Sequence, residues 1–134
     1  MSINYADFMT SAEAIHASAS DEVDRRNAAS RAYYAAYHFA VSQAGAVGAS
    51  QPLSSFVGGT HECLKDFYSN PEAKDALCRR RQAVGYMLRQ AHETRCVADY
   101  RLSEEFDSAM VDAQLSFCKR IVSRVQEIVA EAAA

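Results

Sequence analysis

The sequence is poor in residues that interrupt helices. Only two prolines and five glycines occur among its 134 residues, and four of those glycines lie between Gly45 and Gly59. Because glycine and proline punctuate secondary structure, this distribution confines the main interruption to one segment. An alternating strand pattern bounded by turns is also missing. We therefore expect an all-α fold with long helices on either side of that segment.

Several motifs that carry chemistry are absent as well. The four cysteines, at positions 63, 78, 96 and 118, form no C-x-x-C pair and stand at no metal-clip spacing. We expect four small, buried, reduced thiols, and no metal site. The sequence contains neither a G-x-S-x-G nucleophile motif nor a dinucleotide-binding fingerprint. No cofactor is therefore expected.

The chain also lacks sequence signals for a membrane. Residues 1–7 show no basic-then-apolar signature of a signal peptide, and no apolar run reaches the roughly 18 residues that predict a membrane span. We expect a cytoplasmic protein without a membrane partner. The net charge of −3 argues against a protein that coats DNA, although it leaves room for a local basic patch.

The length and the 49% hydrophobic content are typical of one globular domain, here residues 1–134. Apolar residues recur at helical spacing, and we expect an up-and-down bundle of four long helices plus one short helix. Gly45 is the predicted C-cap of the second helix, Pro71 lies in the predicted first turn of the fourth, and Ser103 is the predicted cap of the fifth. The first four helices are predicted at about 4–17, 21–44, 60–68 and 72–98, with a loop at 46–59.

The second predicted helix carries a candidate catalytic site. Arg31 and His38 are seven residues apart. Seven helical steps rotate by about −20°, so both side chains emerge on one face, roughly 10.5 Å apart along the axis. Tyr34 lies between them on that face. Arginine binds phosphate oxygens in a bidentate manner and histidine exchanges protons near neutral pH, so the three residues suit cleavage of a phosphodiester by the RNA 2′-hydroxyl.

The fourth predicted helix is basic within an acidic protein. Seven basic residues stand against three acidic ones between Lys74 and Arg101. Such an asymmetry suits a polyanion such as RNA or a nucleotide phosphate. The alternative is a solvated helical face that the acidic residues at 104, 105 and 107 neutralise. The candidate RNA- or nucleotide-binding residues are Arg79, Arg80, Arg81, Arg89, His92 and Arg95.

Three separated elements resemble the HEPN (higher eukaryotes and prokaryotes nucleotide-binding) superfamily, over roughly Tyr5 to Val129. The most distinctive is the run Ala-Ala-Ser-Arg-Ala-Tyr-Tyr-Ala-Ala-Tyr-His at 28–38, which resembles the central helix of those domains. Gly-Thr-His at 59–61 is similar to the segment after their variable loop. Arg-Cys-Val-Ala-Asp-Tyr at 95–100 is similar to their Arg-x-x-Ala-Asp-Tyr element.

This resemblance implies a helical bundle, commonly a homodimer, and a function on RNA. Many members of the superfamily are metal-independent endoribonucleases, often toxins paired with a minimal nucleotidyltransferase antitoxin. Their nuclease motif has an arginine and a histidine a few residues apart, which Arg31 and His38 match, and usually a polar residue directly after the arginine, where this chain has Ala32. The alternative is a non-catalytic module that binds RNA, a nucleotide or a nucleotidyltransferase, with Arg31 and His38 as buried structural residues.

Overall fold

The computed structural model describes residues 2–71 and 75–134, and within them all regular structure is helical. This confirms the expected all-α fold. The bounds are Tyr5–Ala17 for α1, Glu22–Ser42 for α2, Thr60–Ser69 for α3, Cys78–Tyr100 for α4 and Ser108–Ala133 for α5, with a short 3-10 turn at Leu53–Ser55.

Local capping explains where the first two helices begin. The Asn4 side chain accepts a hydrogen bond from Ala6 N at 2.8 Å, and the Asn4 amide donates to Asp7 at 2.8 Å, which forms a capping box. Asp21 is an ordinary N-cap residue of α2: its side chain accepts a hydrogen bond from Asp24 N at 2.9 Å. The end of α2 differs from the prediction. The helix stops at Ser42 with Gln43 as its C-cap, and Gly45 lies in the turn that follows.

The fourth and fifth helices begin later than predicted. The predicted start of α4 at residue 72 lies outside the described residues. The Asp75 side chain accepts a hydrogen bond from Leu77 N at 2.9 Å and holds residues 75–77 in a turn. Helix α4 therefore begins at Cys78, and its first turn does not include Pro71. Asp107, not Ser103, caps α5. The reason is a long-range bond: the buried Phe106 donates its backbone N–H to Glu22 at 2.6 Å, and this holds the preceding segment as a loop.

Helix α2 lies at the centre and packs against α1, α4 and α5, while α3 packs mainly on α4. Its alanines are buried and allow close approach of the neighbouring helices. Helices α3 and α4 come close together at Gly85, where an added Cβ would lie 2.2 Å from Ser69 Oγ and 2.9 Å from Ser69 N. The hydrophobic core draws on all five helices and on Val47 and Phe106 of the loops.

Two predictions about burial are corrected. Of the four cysteines, which are all free thiols, Cys118 is buried, and burial raises its pKa to about 12; the other three are half-buried. Helical spacing predicts that the fifth helix buries an apolar stripe of Phe106, Met110, Ala113, Phe117, Ile121, Val125 and Ile128. Phe106, Ile121, Val125 and Ile128 are buried, but Met110 and Ala113 are exposed, and Val111 and Leu115 are buried instead. Among the described helices, none combines the length and the apolar character that crossing a membrane requires.

A buried arginine joins α2 to the end of α4. The Arg26 guanidinium donates to the carbonyls of Val97 at 2.9 Å and Ala98 at 3.0 Å, and also to the carbonyls of Arg101 and Glu104. The last carbonyls of a helix have no partner within the helix, so this side chain satisfies them from outside. Arg26 therefore fixes the C-terminal end of α4, where Arg95 and Asp99 lie, relative to the central helix.

Candidate functional site

One face of α2 presents Arg31, Tyr34 and His38. Arg31 and His38 are exposed and Tyr34 is half-buried. The His38 ring stacks on Phe8 of α1 at a centroid distance of 5.0 Å and lies 6.0 Å from the Tyr34 ring. Within the residues that the structure describes, neither Arg31 nor His38 makes a hydrogen bond or an ion pair, and their charged or titratable ends face solvent. The expectation, within the non-catalytic alternative, that both are buried is therefore wrong.

A groove lies beside His38, between the N-terminal segment and α2. Its volume is about 380 Å³, which falls within the range of small-molecule binding sites. Apolar and aromatic side chains form most of its wall, so it has the character of a site for a flat ring. The lining residues are Ile3, Asn4, Tyr5, Phe8, His38 and Ser42.

A second group of polar side chains, which we call the polar cluster, joins α2, α3 and α4. It consists of Tyr33, His61, Lys65, His92 and Arg95. The Tyr33 hydroxyl lies 2.6 Å from His61 Nδ1, and the rings of His61 and His92 stack at 4.9 Å with an 18° angle between their planes. Lys65 Nζ lies 3.3 Å from His92 Nδ1, and Arg95 Nη2 lies 3.4 Å from His92 Nε2.

Burial and the neighbouring cations keep both histidines of the polar cluster neutral near pH 7. Burial, Arg95 and Lys65 lower the pKa of His61. The pKa of His92 is lowered to about 4, first by burial and then by Lys65, His61 and Arg95. Burial raises the pKa of the Tyr33 phenol, which therefore keeps its proton. A positively charged imidazole is disfavoured here because it would face two cations that are themselves buried.

Arg95 connects the polar cluster to the Arg31–His38 face. Its guanidinium is buried and lies 5.6 Å from the Tyr33 ring centroid and 5.5 Å from that of Tyr34. Its Nη1 donates to Asp99 at 3.3 Å, and Asp99 also accepts from Ser30 at 3.1 Å. Tyr34 thus contacts His38 on one side and Arg95 on the other. The electrostatic influence of His38 reaches His61 as well, where it helps lower the pKa.

The basic residues predicted on α4 divide into two groups. His92 and Arg95 belong to the polar cluster, and Arg89 lies at its edge, 3.8 Å from Glu62. The other three are at the opposite end of the helix: residues 81 and 95 are about 21 Å apart along the axis. Arg81 is buried and donates to Val47 O at 3.1 Å and to Asp75 at 2.5 Å.

Arg80 and Arg79 complete that distant group. Arg80 forms ion pairs with Glu127 and Glu131 of α5. Arg79 is exposed and has no ion pair with a described residue. The structure therefore brings together Tyr34, His38, His92 and Arg95 of the predicted site residues, keeps Arg31 on the same helix face, and separates Arg79, Arg80 and Arg81 from them.

Sequence reasoning did not single out Tyr33, Tyr37 or Lys65, and it named His61 only as part of a loop segment. Helical spacing holds a partial signal for them. Tyr33 and Tyr37 are four residues apart on α2, as are His61 and Lys65 on α3, and such pairs lie on one helix face. The Tyr37 ring contacts His61 at 4.6 Å. That signal shows which residues share a face, but not which faces meet.

Comparison of the chain with protein-family models, with curated proteins and with solved structures finds no match. Residues 2–71 and 75–134 contain no group of three or more histidine, cysteine, aspartate or glutamate side chains placed to hold a metal ion together. The geometry of the site itself is therefore the basis for its interpretation.

Proposed function

We infer that this protein is a HEPN-like domain that binds single-stranded RNA and cleaves it without a metal ion. The observation that carries this proposal is the exposure of Arg31 and His38 on one face of the central helix, without a hydrogen bond or an ion pair to any described residue. A structural arginine or histidine would be expected to satisfy its donors within the bundle. These two side chains are instead available to a ligand.

The proposed chemistry is an internal transfer of the phosphodiester. Arg31 binds the phosphate oxygens, and its guanidinium stabilises the negative charge that grows on them. His38 takes the proton of the 2′-hydroxyl as O2′ forms a bond to phosphorus. The bond to O5′ breaks, and this leaving oxygen takes a proton from a second acid. The products are a 2′,3′-cyclic phosphate and a 5′-hydroxyl.

The surroundings of His38 support the binding of a nucleotide. Tyr34 lies between the two candidate catalytic residues, and the groove of about 380 Å³ beside His38 has aromatic walls. Bases stack on aromatic side chains with little regard to sequence. A base in this groove would place its own ribose next to the His38 imidazole.

The departure from the nuclease motif at Ala32 has a structural explanation. Ala32 is fully buried, because the residue after Arg31 is rotated by about 100° from it on a helix. A polar side chain at this position would enter the core and not reach the Arg31–His38 face. The alanine therefore bears on packing more than on the proposed site.

The resemblance adds finer expectations to this proposal. They are an up-and-down helix arrangement, a homodimer in which two α2 faces supply one site, and a toxin role opposite a nucleotidyltransferase antitoxin; the sequence pattern adds a cytoplasmic location. In such a dimer the His38 of the second copy is the natural acid for the leaving O5′. These expectations concern the oligomeric state and the cellular role of the protein, whereas a cleavage assay tests the chemistry.

The test is cleavage of a single-stranded RNA by the purified protein in the presence of a chelator. We expect cleavage with cyclic-phosphate ends, and loss of it in Arg31→Ala and in His38→Ala. His16→Ala, which changes the histidine that pairs with Asp112 at 2.6 Å, and Arg124→Ala, which changes an exposed arginine of α5 that pairs with Glu127 at 3.7 Å, serve as matched controls. Cleavage at the wild-type rate in His38→Ala would overturn the catalytic assignment.

Binding of RNA without cleavage would instead support the non-catalytic alternative. In that case Arg31→Ala weakens binding, because the contact of the guanidinium with a phosphate is lost. His38→Ala then weakens binding only to the extent that its ring stacks on a base. The two outcomes differ in the products, which gel analysis of the RNA resolves directly.

A further inference from the structure

The polar cluster holds more hydrogen-bond donors than acceptors. Both ring nitrogens of His92 face a cationic donor: Nδ1 faces Lys65 at 3.3 Å, and Nε2 faces Arg95 at 3.4 Å. A neutral imidazole accepts through one nitrogen and donates through the other, while a protonated one only donates. One of the two contacts therefore places a donor against an N–H group when the imidazole is neutral, and both contacts do so when it is protonated.

Arg95 adds a further donor without an acceptor. The residue is 6% exposed, and its guanidinium is directed at His92. Its Nε is buried and has no hydrogen-bond partner in the described part of the chain. A buried donor that lacks a partner costs about 1–3 kcal/mol, so native proteins rarely keep one without a reason.

The neighbouring carboxylates do not remove this excess. Asp99 accepts a hydrogen bond from Arg95 only through Nη1, and it also accepts one from the Ser30 hydroxyl. Glu62 pairs with Lys65 at 3.0 Å, but it is about half exposed and stands at the outer edge. The His61 proton lies on Nε2 when the Tyr33 hydroxyl donates to Nδ1, which adds one more donor. Solvent reaches the polar cluster at its two half-buried members, His61 and His92.

We propose that the polar cluster is a binding site for one phosphate group, held by Lys65, His61, His92 and Arg95. This deepens the proposed function and rests on it for the source of the phosphate, which is then a group of the RNA next to the one cleaved at Arg31 and His38. A phosphate supplies several strong acceptor oxygens and negative charge, which are what the cluster lacks. Tyr34 spans the two sites, because it contacts both His38 and Arg95.

The bound phosphate would also change the titration of the histidines. Besides burial, Lys65 and Arg95 lower the pKa of His61 and of His92. A phosphate between these groups offsets the cations, so the pKa of both histidines rises on binding. By linkage, affinity for a backbone phosphodiester, whose own charge stays constant in this range, strengthens as the pH falls. The charged groups that face His92 and enter this balance are Lys65, Glu62 and Arg95, together with His61.

The test follows the histidine ring signals of the intact protein by NMR during addition of inorganic phosphate. A chloride titration at equal ionic strength provides the reference. We expect the signals of His61 and His92 to shift with phosphate and those of His16 to stay unchanged. Shifts that chloride reproduces, or no shift at all, would overturn the proposal.

Two matched lysine variants sharpen the test. Lys65 and Lys119 each pair with one glutamate at 3.0 Å, but only Lys65 belongs to the polar cluster. Lys65→Met keeps the apolar stem, and it should bind phosphate about tenfold or more weakly, since a hydrogen bond to a charged group contributes on this scale. Lys119→Met should bind like the wild type. Equal binding by Lys65→Met and the wild type would contradict the proposed site.

Two further ligands identify the source of the phosphate. Stronger binding of an adenosine monophosphate than of a short single-stranded RNA indicates a terminal phosphate, and the reverse order indicates a backbone phosphate. The outcome is separable from that of the cleavage assay. Histidine shifts without RNA cleavage leave the phosphate site intact and remove the nuclease function, whereas cleavage without histidine shifts removes the phosphate site alone.

Discussion

The hydroxyl of the buried Tyr33 lies 2.6 Å from Nδ1 of His61, and this bond joins the core of α2 to the first turn of α3. His61 reaches solvent, whereas Tyr33 is 1% exposed. A core residue thus sets the orientation of a half-buried imidazole. The centroid of the same phenol ring lies 5.5 Å from that of His92 and 5.6 Å from the Arg95 guanidinium, so Tyr33 packs against three members of the polar cluster.

Tyr33→Phe should lower the free energy of unfolding by about 1 kcal/mol, since it removes one hydrogen bond and leaves the ring in place. Urea denaturation measures this loss. Tyr86→Phe is the matched control, because the Tyr86 hydroxyl bonds only to Gln90 among the described residues and the side chain is exposed. Equal stability of the two variants would show that the bond to His61 contributes nothing.

Stability should depend on pH through His92. Its folded-state pKa of about 4 lies below the unfolded value of 6.5, so the unfolded chain binds the extra proton between them. The contribution of His92 to stability is therefore fully present above pH 6.5 and is lost as the pH falls toward 4. His61 acts in the same direction. We expect a lower free energy of unfolding at about pH 5 than at about pH 7, and a smaller difference in His92→Gln. A pH dependence unchanged by that substitution would argue against this role.

Arg26→Ala should destabilise the protein strongly. The substitution removes the donor of the Ala98 carbonyl and one of the two donors of the Val97 carbonyl, and with them a buried charge-assisted network, which costs about 2 kcal/mol or more. Thermal or urea unfolding measures the loss. Arg79→Ala, at an exposed arginine, should stay within about 0.5 kcal/mol of the wild type. A small effect at Arg26 would mean that water replaces its bonds.

Gly85→Ala should destabilise the packing of α3 on α4. The new Cβ would meet Ser69 N at 2.9 Å, and because this is a backbone atom the helices must move apart, at a cost of about 1–3 kcal/mol. Gly45→Ala is the control, since a Cβ there meets nothing within 4 Å. We also expect the His61 and His92 ring signals to shift in Gly85→Ala and to stay unchanged in Gly45→Ala.

Local signals predicted much of the fold. The side chains of Asn4 and Asp21 accept hydrogen bonds from the first turns of α1 and α2, so a few neighbouring residues are enough to determine where each helix begins. The start of α5 was missed because its cause is distant in sequence. Phe106 is buried and bonded to Glu22 of another helix, and no pattern around Ser103 contains that information.

The candidate site likewise has one part that local sequence predicts and one part that depends on contacts between distant segments. Arg31, Tyr34 and His38 lie on one helix, so periodicity alone was enough to place them on a common face. The polar cluster depends on three helices that meet around Tyr33. Helical spacing gives the face of α3 that bears His61 and the face of α4 that bears His92. These two faces meet only in the folded chain, where α3 packs on α4 and comes close to it at Gly85 and Ser69.

The stacked rings of His61 and His92 belong to two different helices, so ligand binding at the polar cluster is thermodynamically coupled to the docking of α3 on α4. A phosphate held by both rings clamps the ten-residue α3 onto α4 and stabilises the native state by mass action. Conversely, each excursion in which α3 detaches abolishes the site, so the measured affinity includes the cost of keeping α3 docked. Substitutions far from any ligand, such as Gly85→Ala, would then act as affinity variants.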